Sequence, residues 1–260
     1  MGVFNERVQA FITVLFYREL TERFGGRGRK AFIQGTQAYG EQRGRRMAQR
    51  AIRAGEELTL ETYLQRGEWV NTEEIRAQGI ANRSEIVPAA PLYGAALPDY
   101  IKQVTVCPWN TQFREMDALD AGVLYCRHID PSLFRGFNPL KTYEVPQNLN
   151  QGVCCYHIVR SGEEEGEEQA AGQAAAGAGK PVKKDPAGLR SFEYHCADSY
   201  WAYRRTAERI FGEEGRAAAE QVLKALAETY GAEAAERMRR YGETDFTCCD
   251  SRELQESALQ

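Results

Sequence analysis

The stretch YIKQVTVCPWNTQFREMDALDAGVLYCRHID, residues 100–130, combines clear secondary-structure signals with reactive side chains. Polar and apolar residues alternate in its opening YIKQVTV, which is typical of a β-strand. Pro108 follows at a position where proline favours the first turn of a helix. Residues 116–127 then carry apolar side chains at helical spacing. The stretch therefore predicts a strand followed by helices, with cysteine, histidine and aspartate side chains near their junctions.

Helical patterns lie on both sides of this stretch. One begins near Val8 and ends at the glycines of RFGGRG, a second covers about residues 29–54, and LTLETYLQRGEW predicts a shorter third. Beyond residue 188, LRSFEYHCADSYWAYRRTAERIF and GRAAAEQVLKALAETYG are strongly helical. TYEVPQNLNQGVCCYHIV instead predicts one or two strands joined by a polar turn. We therefore expect an α+β fold, predominantly helical, with a small central antiparallel sheet.

The two helical ends share a sequence framework. The pattern Phe-Gly-x-x-Gly-Arg occurs at residues 24–29 and again at residues 211–216, in each case after Tyr-Arg and Glu-Arg pairs. Tyr-Gly and Arg-Met pairs follow both copies. Glycine stops are common in helical hairpins, but the coincident pairs favour a duplicated helical unit whose two copies pack together.

The chain changes character at SGEEEGEEQAAGQAAAGAGKPVKKDPA, residues 161–187. This segment has no apolar periodicity and little surface to bury, so we predict a disordered linker or loop. Residues 1–160 would then hold the N-terminal helices, the sheet and a cysteine-rich site. Residues 188–250 would form helices that pack on the same domain, and residues 251–260 would be a loose tail.

Composition restricts the function. Hydrophobic residues make up 43% of the chain and charged residues 27%, as in ordinary globular proteins. The net charge of −4 disfavours nucleic acid as the main partner. The apolar run Phe11–Phe16 is too short to span a bilayer, and the N-terminus lacks the layout of a signal peptide. We expect a cytoplasmic protein that binds a small molecule and neither nucleic acid nor membrane, with homo-oligomerisation left open.

Seven cysteines in such a chain argue against a disulfide framework. Cys107 would lie at the N-terminus of a helix, where the positive end of the helix dipole favours the thiolate. This argument makes Cys107 the leading candidate nucleophile. Cys154 and Cys155 point to opposite sides of a predicted strand, and His157 shares a side with Cys155.

Cys126, His128 and Asp130 follow near the end of the next predicted helix. Cys126 and His128 are two residues apart, so they share a face only if the helix ends or tightens between them. Asp130 precedes Pro131, which is a good N-cap and first-turn pair for a new short helix. This structural role for Asp130 competes equally with a functional one.

A basic helical face lies earlier in the chain. Arg43, Arg46, Arg50 and Arg53 are spaced by three, four and three residues, which places them on one side of a helix. Such a face is most often solvated or paired with acidic groups. The alternative is an anion-binding surface, for a substrate carboxylate or for RNA.

At the cysteine-bearing residues the chain resembles the L-2-amino-thiazoline-4-carboxylic acid hydrolase family. The resemblance rests on Cys107-Pro108-Trp109, then Tyr125-Cys126-x-x-Ile129-Asp130, then Asn148-Leu149-x-x-Gly152 leading into Cys155. The stretches FEYHCADSYW, FGEEG and TDF also look like longer members, so the likeness touches roughly residues 35–247. The family name implies hydrolysis of a C–N bond in a cyclic amidine, which opens a thiazoline ring to a carbamoyl-cysteine product.

Ring opening at such a carbon needs a nucleophile, a proton carrier and stabilisation of charge. We assign the nucleophile to Cys107 or Cys155, the proton carrier to His128 and the orienting carboxylate to Asp130. The predicted catalytic residues are Cys107, Cys126, His128, Asp130 and Cys155. The predicted substrate-binding residues are Trp109, Asn110, Tyr125 and Arg46. No cofactor is predicted.

Two other hypotheses stay open. The first is a zinc site, formed by side chains that are suited to zinc: Cys107, Cys126, His128, Cys155 and His195. No pair of these residues shows the C-x-x-C spacing that is typical of zinc sites. The second is a non-enzymatic module that binds a small ligand or a metal, or senses redox state through its cysteines. Formation of a ring-opened product from a cyclic amide or amidine would separate an enzyme from a binding module.

Overall fold

The computed structural model describes residues 3–87, 100–160 and 183–249. Within these ranges the fold is predominantly helical with one four-stranded antiparallel sheet, which confirms the predicted α+β class. The helices are α1 (Glu6–Arg53), α2 (Leu60–Gln65), α3 (Glu73–Ala77), α4 (Pro108–Glu115), α5 (Leu119–Phe137), α6 (Phe192–Phe211), α7 (Glu213–Tyr230) and α8 (Ala232–Arg240). The strands are β1 (Arg83–Ile86), β2 (Tyr100–Val106), β3 (Thr142–Glu144) and β4 (Cys155–Arg160).

Helix α1 contains a break at the glycines where the sequence predicts a helix end. Gly25 has φ 55° and ψ −131°, a backbone conformation that favours glycine. Gly212, between α6 and α7, has nearly the same values, φ 60° and ψ −134°. The preceding rings, Phe24 and Phe211, stack with their centroids 3.7 Å apart. The two copies of the repeated framework therefore share their turn geometry and meet at these turns.

Helix α5 is continuous through Pro131, so Asp130 does not begin a second helix. The expected N-cap role of Asp130 is therefore wrong. The proline is tolerated because α5 packs closely along α1 and buries Leu133 there. A Cβ atom on Gly44 of α1 would lie 2.0 Å from the carbonyl oxygen of Leu133. This close packing outweighs the backbone hydrogen bond that a proline removes from a helix.

The sheet has the strand order β1-β2-β4-β3, with antiparallel neighbours throughout. Between β2 and β4, Lys102 is opposite His157 and Val104 is opposite Cys155. Because alternate residues of a strand share a face, these four side chains lie on one side of the sheet, which we call the Cys155 face. The predicted placement of Cys155 and His157 on the same side is confirmed.

The C-terminal helices pack on α1. The ring of Tyr203 in α6 stacks on Phe16 and Phe32 of α1, with centroid distances of 4.9 and 5.3 Å. One buried hydrophobic cluster includes residues from α1, α4, α5, α6, α7 and α8. The helices on both sides of the predicted linker thus contribute to one core.

Residues 183–187 belong to the predicted linker, but the structure describes them. Pro186–Gly188 form a 3₁₀ turn that begins within this segment. Residues 161–182 of the predicted linker and the predicted tail at 251–260 lie outside the described residues. Among the described helices, none combines the length and the apolar character needed to cross a membrane.

Candidate functional site

A cavity of about 440 Å³ lies over the Cys155 face of the sheet. The sheet forms one wall, α5 forms a second, and the N-terminus of α4 with the loop before β4 forms a third. Trp69 and Lys184 lie on the remaining side, each from a connecting segment. The volume is in the range that small-molecule sites commonly have.

Cys155 and His157 form a hydrogen-bonded pair in this cavity. The Sγ atom of Cys155 lies 3.2 Å from Nε2 of His157. The other ring nitrogen, Nδ1, lies 2.7 Å from the hydroxyl oxygen of Tyr143 and 3.9 Å from Oδ2 of Asp130. A thiol, an imidazole and groups that can orient the imidazole therefore stand in sequence, an arrangement that can activate a thiol for attack.

Burial lowers the pKa of His157 to about 4, although the charge of Asp130 acts in the opposite direction. At neutral pH the imidazole is therefore neutral, with one nitrogen as donor and one as acceptor. If the thiol of Cys155 donates to Nε2, the ring proton must be on Nδ1, where it donates to the Tyr143 hydroxyl. The Cys155 thiol can therefore donate a hydrogen bond to Nε2 of a neutral His157.

The lowered pKa of His157 gives a testable pH dependence of stability. In the unfolded chain this histidine takes up a proton near pH 6.5, whereas in the folded protein it does so near pH 4. The unfolded state therefore binds more protons between these values, and the free energy of unfolding falls as the pH falls through this window. We expect a loss of about 3 kcal/mol that is absent from a His157→Gln variant.

Urea unfolding of both proteins between neutral pH and pH 4 measures this difference, because other acidic groups titrate in both proteins alike. Parallel pH dependences in the two proteins would contradict the assignment of a neutral, buried His157.

Three thiols line the cavity: Cys107, Cys126 and Cys155. Burial raises the pKa of each of them, to about 11 for Cys107 and further for the other two. Cys107 contributes to the raised pKa of both Cys126 and Cys155, so the three thiols lie near one another. This agrees with the predicted convergence of their sulfur atoms. Within the described ranges, however, no three His, Cys, Asp or Glu side chains are arranged to hold a metal ion.

Cys107 lies at the N-terminus of α4, as the sequence predicts, with Pro108 in the first helical position. Burial raises the pKa of its thiol, and this outweighs the backbone N–H groups of Asn110 and Trp109, which lower it. The helix N-terminus alone therefore does not make Cys107 a thiolate at neutral pH. Burial raises the pKa of the Cys155 thiol as well, but Cys155 differs from Cys107 in having a histidine ring nitrogen within hydrogen-bond distance.

A chain of amides covers the wall near Cys126. Asn150 donates from Nδ2 to the Cys126 Sγ at 3.4 Å and to Oδ1 of Asn148 at 3.1 Å. Its own Oδ1 accepts from Nδ2 of Asn110 at 2.9 Å. Arg114 in turn donates from Nε to Oδ1 of Asn110 at 3.1 Å. These contacts fix which end of each amide is the donor and make the wall rigid and polar.

Seven of the nine predicted site residues line the cavity. They are Cys107, Cys126, Asp130, Cys155, Trp109, Asn110 and Tyr125. His128 is not among the lining residues. It is part of the continuous helix α5, where residues two apart are separated by about 200° around the axis. It therefore points away from Cys126, and the predicted proton carrier is not in the cavity.

Arg46 also does not line the cavity, because it is fully buried in an ion-pair network. Its guanidinium donates to both carboxylate oxygens of Glu68, at 3.1 and 2.8 Å, to Oδ2 of Asp198 at 2.8 Å, and to the carbonyl of Phe246. Arg50 also pairs with Glu68, at 3.0 Å. The paired alternative for the basic face therefore holds for Arg46 and Arg50, and the predicted role of Arg46 in substrate binding is corrected.

The sequence interpretation missed several residues that the structure places in or beside the cavity. His157 was identified as sharing a strand face with Cys155, and that signal alone could have selected it as the base. Nothing in the sequence near Tyr143, Lys102 or Trp69 marks them as site residues. Only the pairing of strands and the path of the connecting segments bring them to the site. Lys184 follows a segment without any periodic pattern.

The family pattern decides the identity of this chain. The model of the L-2-amino-thiazoline-4-carboxylic acid hydrolase family matches residues 5–158, which is more than half of the sequence. The chain belongs to this family. The part of the chain that matches the L-2-amino-thiazoline-4-carboxylic acid hydrolase model runs from the start of α1 into β4. It includes both Cys155 and His157. No curated protein and no solved structure matches the chain.

Proposed function

We propose that this hydrolase opens a C–N bond of a small cyclic amidine or amide, such as a thiazoline carboxylate, with Cys155 as the nucleophile and His157 as the general base. The observation that supports this proposal best is the 3.2 Å contact between Cys155 Sγ and His157 Nε2 inside a cavity of small-molecule size. Family membership supports hydrolysis, and the geometry supports a choice between the two candidate cysteines.

In the first half of the reaction, His157 takes the proton of the Cys155 thiol at Nε2. The sulfur adds to the ring carbon between the heteroatoms, and the electrons of the C=N bond move to the ring nitrogen. Protonated His157 returns its proton to that nitrogen. When the C–N bond breaks, the exocyclic amino group forms a C=N bond to the same carbon and gives up the second proton with which the ring nitrogen leaves as an amine. The ring carbon remains bound to the Cys155 sulfur. An imidazole that is neutral before the reaction can carry out both transfers.

In the second half, a water molecule adds to the same carbon while His157 accepts one of its protons. The bond between the carbon and the Cys155 sulfur breaks, and the thiolate recovers the proton from His157. The product differs from the substrate by one water molecule. For an aminothiazoline carboxylate, C–N cleavage gives an S-carbamoyl-cysteine with a new free amine.

Charge that develops at the reacting carbon needs nearby donors. The N-terminus of α4 directs the N–H groups of Trp109 and Asn110 toward the cavity wall at Cys107. The Asn110 amide extends this donor surface, because the contact with Asn150 uses only one of its two N–H groups. Asp130 and the Tyr143 hydroxyl keep the imidazole of His157 oriented and stabilise its protonated form.

Mass spectrometry of cyclic substrates incubated with the protein tests the function directly. The panel contains 2-aminothiazoline-4-carboxylate, a hydantoin and a lactam, and we expect a ring-opened product that has gained one water. An amine reagent and a thiol reagent then identify the bond that breaks. A new amine without a new thiol is expected, whereas a new thiol would mean C–S cleavage and would contradict the C–N assignment.

Tight binding of these compounds without any product would contradict the hydrolase proposal itself. It would favour the alternative of a non-enzymatic binding module.

A further inference from the structure

The cavity carries an excess of positive charge. Among the described residues, its lining includes four basic side chains, Arg43, Arg76, Lys102 and Lys184, and one acidic side chain, Asp130. Asp130 lies near the imidazole of His157. The buried carboxylate of Glu68 pairs with Arg43 at 3.5 Å, but it is shared with Arg46 and Arg50, so it does not balance the charge of Arg43 alone.

Three of these cations also line a second cavity of about 190 Å³ that adjoins the first. Arg43, Lys102 and Lys184 border both spaces, together with Trp69, Asp130 and His157. The three cations therefore lie at the junction of the two spaces, next to the catalytic histidine and not at the rim of the main cavity.

Their hydrogen-bonding capacity is only partly used. Arg43 is buried, its Nη1 donates to the Tyr39 hydroxyl at 3.2 Å, and its Nε forms an ion pair with Oε2 of Glu68 at 3.5 Å without the geometry of a hydrogen bond. Lys184 donates from Nζ to the carbonyl of Trp69 at 2.6 Å, which leaves two further N–H groups. Within the described part of the chain, no carboxylate lies within ion-pair distance of Lys102 or Lys184.

These cations are near enough to disfavour one another. Burial, together with the charges of Arg43 and Lys102, lowers the pKa of Lys184 to about 8. Like charges held together in a partly buried space are stabilised when an anion binds between them. The position of Lys184 is nevertheless fixed, because the neighbouring Asp185 donates its N–H to the carbonyl of Gln65 at 2.9 Å and accepts from Arg66 at 2.6 Å.

We propose that Arg43, Lys102 and Lys184 form an anion subsite that binds the carboxylate of the ring substrate. The inference rests on the proposed function, because it places this carboxylate relative to Cys155. Lys102 is opposite His157, and the next pair on the same face, Val104 and Cys155, lies about 7 Å further along the strands. A ring carbon a few bonds from the carboxylate can therefore reach the Cys155 sulfur while the carboxylate contacts the cations.

The subsite includes a residue outside the family-matched region. The match covers residues 5–158, whereas Lys184 lies beyond it, close to the start of the C-terminal helices. The carboxylate preference of this protein thus depends in part on residues that the family pattern does not contain.

Lys184→Met tests the subsite with two substrates that differ only in the carboxylate. For 2-aminothiazoline-4-carboxylate, KM is expected to rise about 10- to 100-fold with kcat nearly unchanged, because a charge-assisted contact is lost. For 2-aminothiazoline, which lacks the carboxylate, KM is expected to stay the same. Lys184→Arg keeps the charge and should restore most of the affinity. Lys183→Met removes the adjacent, exposed lysine and should leave both KM values unchanged.

A binding measurement separates this inference from the proposed function. Thiazolidine-4-carboxylate has no amidine carbon, so it binds without reacting, and calorimetry measures its dissociation constant in the full-length Cys155→Ala protein. If no ring compound is hydrolysed, the proposed function fails. A larger dissociation constant for thiazolidine-4-carboxylate in the Lys184→Met variant would still support the subsite. Equal effects of Lys184→Met on the charged and uncharged ligands, or no effect on either, would overturn the subsite.

Discussion

Replacing Cys155 with alanine is expected to lower kcat/KM for ring opening by about 10³-fold or more, because His157 is hydrogen-bonded to Cys155 and not to either of the other two thiols that line the cavity. The free energy of unfolding should change far less than the activity, since the side chain is small. Steady-state kinetics with 2-aminothiazoline-4-carboxylate, alongside urea unfolding, measures both quantities.

The adjacent residue provides a matched control for this substitution. Cys154 is similarly buried but does not line the cavity, so Cys154→Ala should retain most of the activity. Cys107→Ala distinguishes the two candidate nucleophiles: it is expected to keep measurable turnover and to form the covalent intermediate on Cys155. If Cys155→Ala stays active while Cys107→Ala is inactive, the nucleophile is Cys107, and Cys155 and His157 are not the nucleophile and its base.

Arg46→Met is expected to lower the free energy of unfolding by about 3–5 kcal/mol, the usual cost of leaving a buried charge without its partner. Arg46 is fully buried, and its removal leaves Asp198 without its cation and Glu68 with a weaker set of partners. Denaturant unfolding monitored by circular dichroism measures the loss.

Arg45 is the matched control for Arg46, because it is the neighbouring residue in α1 and has the same charge. Its side chain is 57% exposed and forms an ion pair with Glu41 one helical turn away. Arg45→Met should change the free energy of unfolding by no more than about 0.5 kcal/mol. Similar losses in both variants would mean that the buried network contributes no more than an ordinary surface arginine.

Local patterns were sufficient to predict much of the site. Pro108 after the β2 pattern placed Cys107 at a helix start, and the two-residue period of a strand placed Cys155 and His157 on one face. Both predictions need only the geometry of one element and its immediate neighbours. Convergence of Cys107, Cys126 and Cys155 was instead an assumption of the site hypothesis, and their shared cavity agrees with it.

Properties that depend on packing partners could not be predicted. A pattern of arginines shows that they share one side of a helix, but not which of them meets a buried carboxylate. Glu68 pairs with Arg43, Arg46 and Arg50, but of these three arginines only Arg43 also lines the main cavity. In the same way, Pro131 normally ends a helix, but the packing of α5 on α1 keeps the helix intact and directs His128 away from the site.

Glu68 connects the cavity to the segment that precedes the C-terminal helices. Its carbonyl accepts the N–H of Arg190 at 2.8 Å, and the next residue, Trp69, lines the cavity. Arg190 lies beyond the residues that the family pattern matches. A domain boundary placed where that match stops would therefore separate Arg190 from the cavity that it supports. A chimera that took its C-terminal helices from a relative would also change the contacts that hold Trp69 beside the cavity.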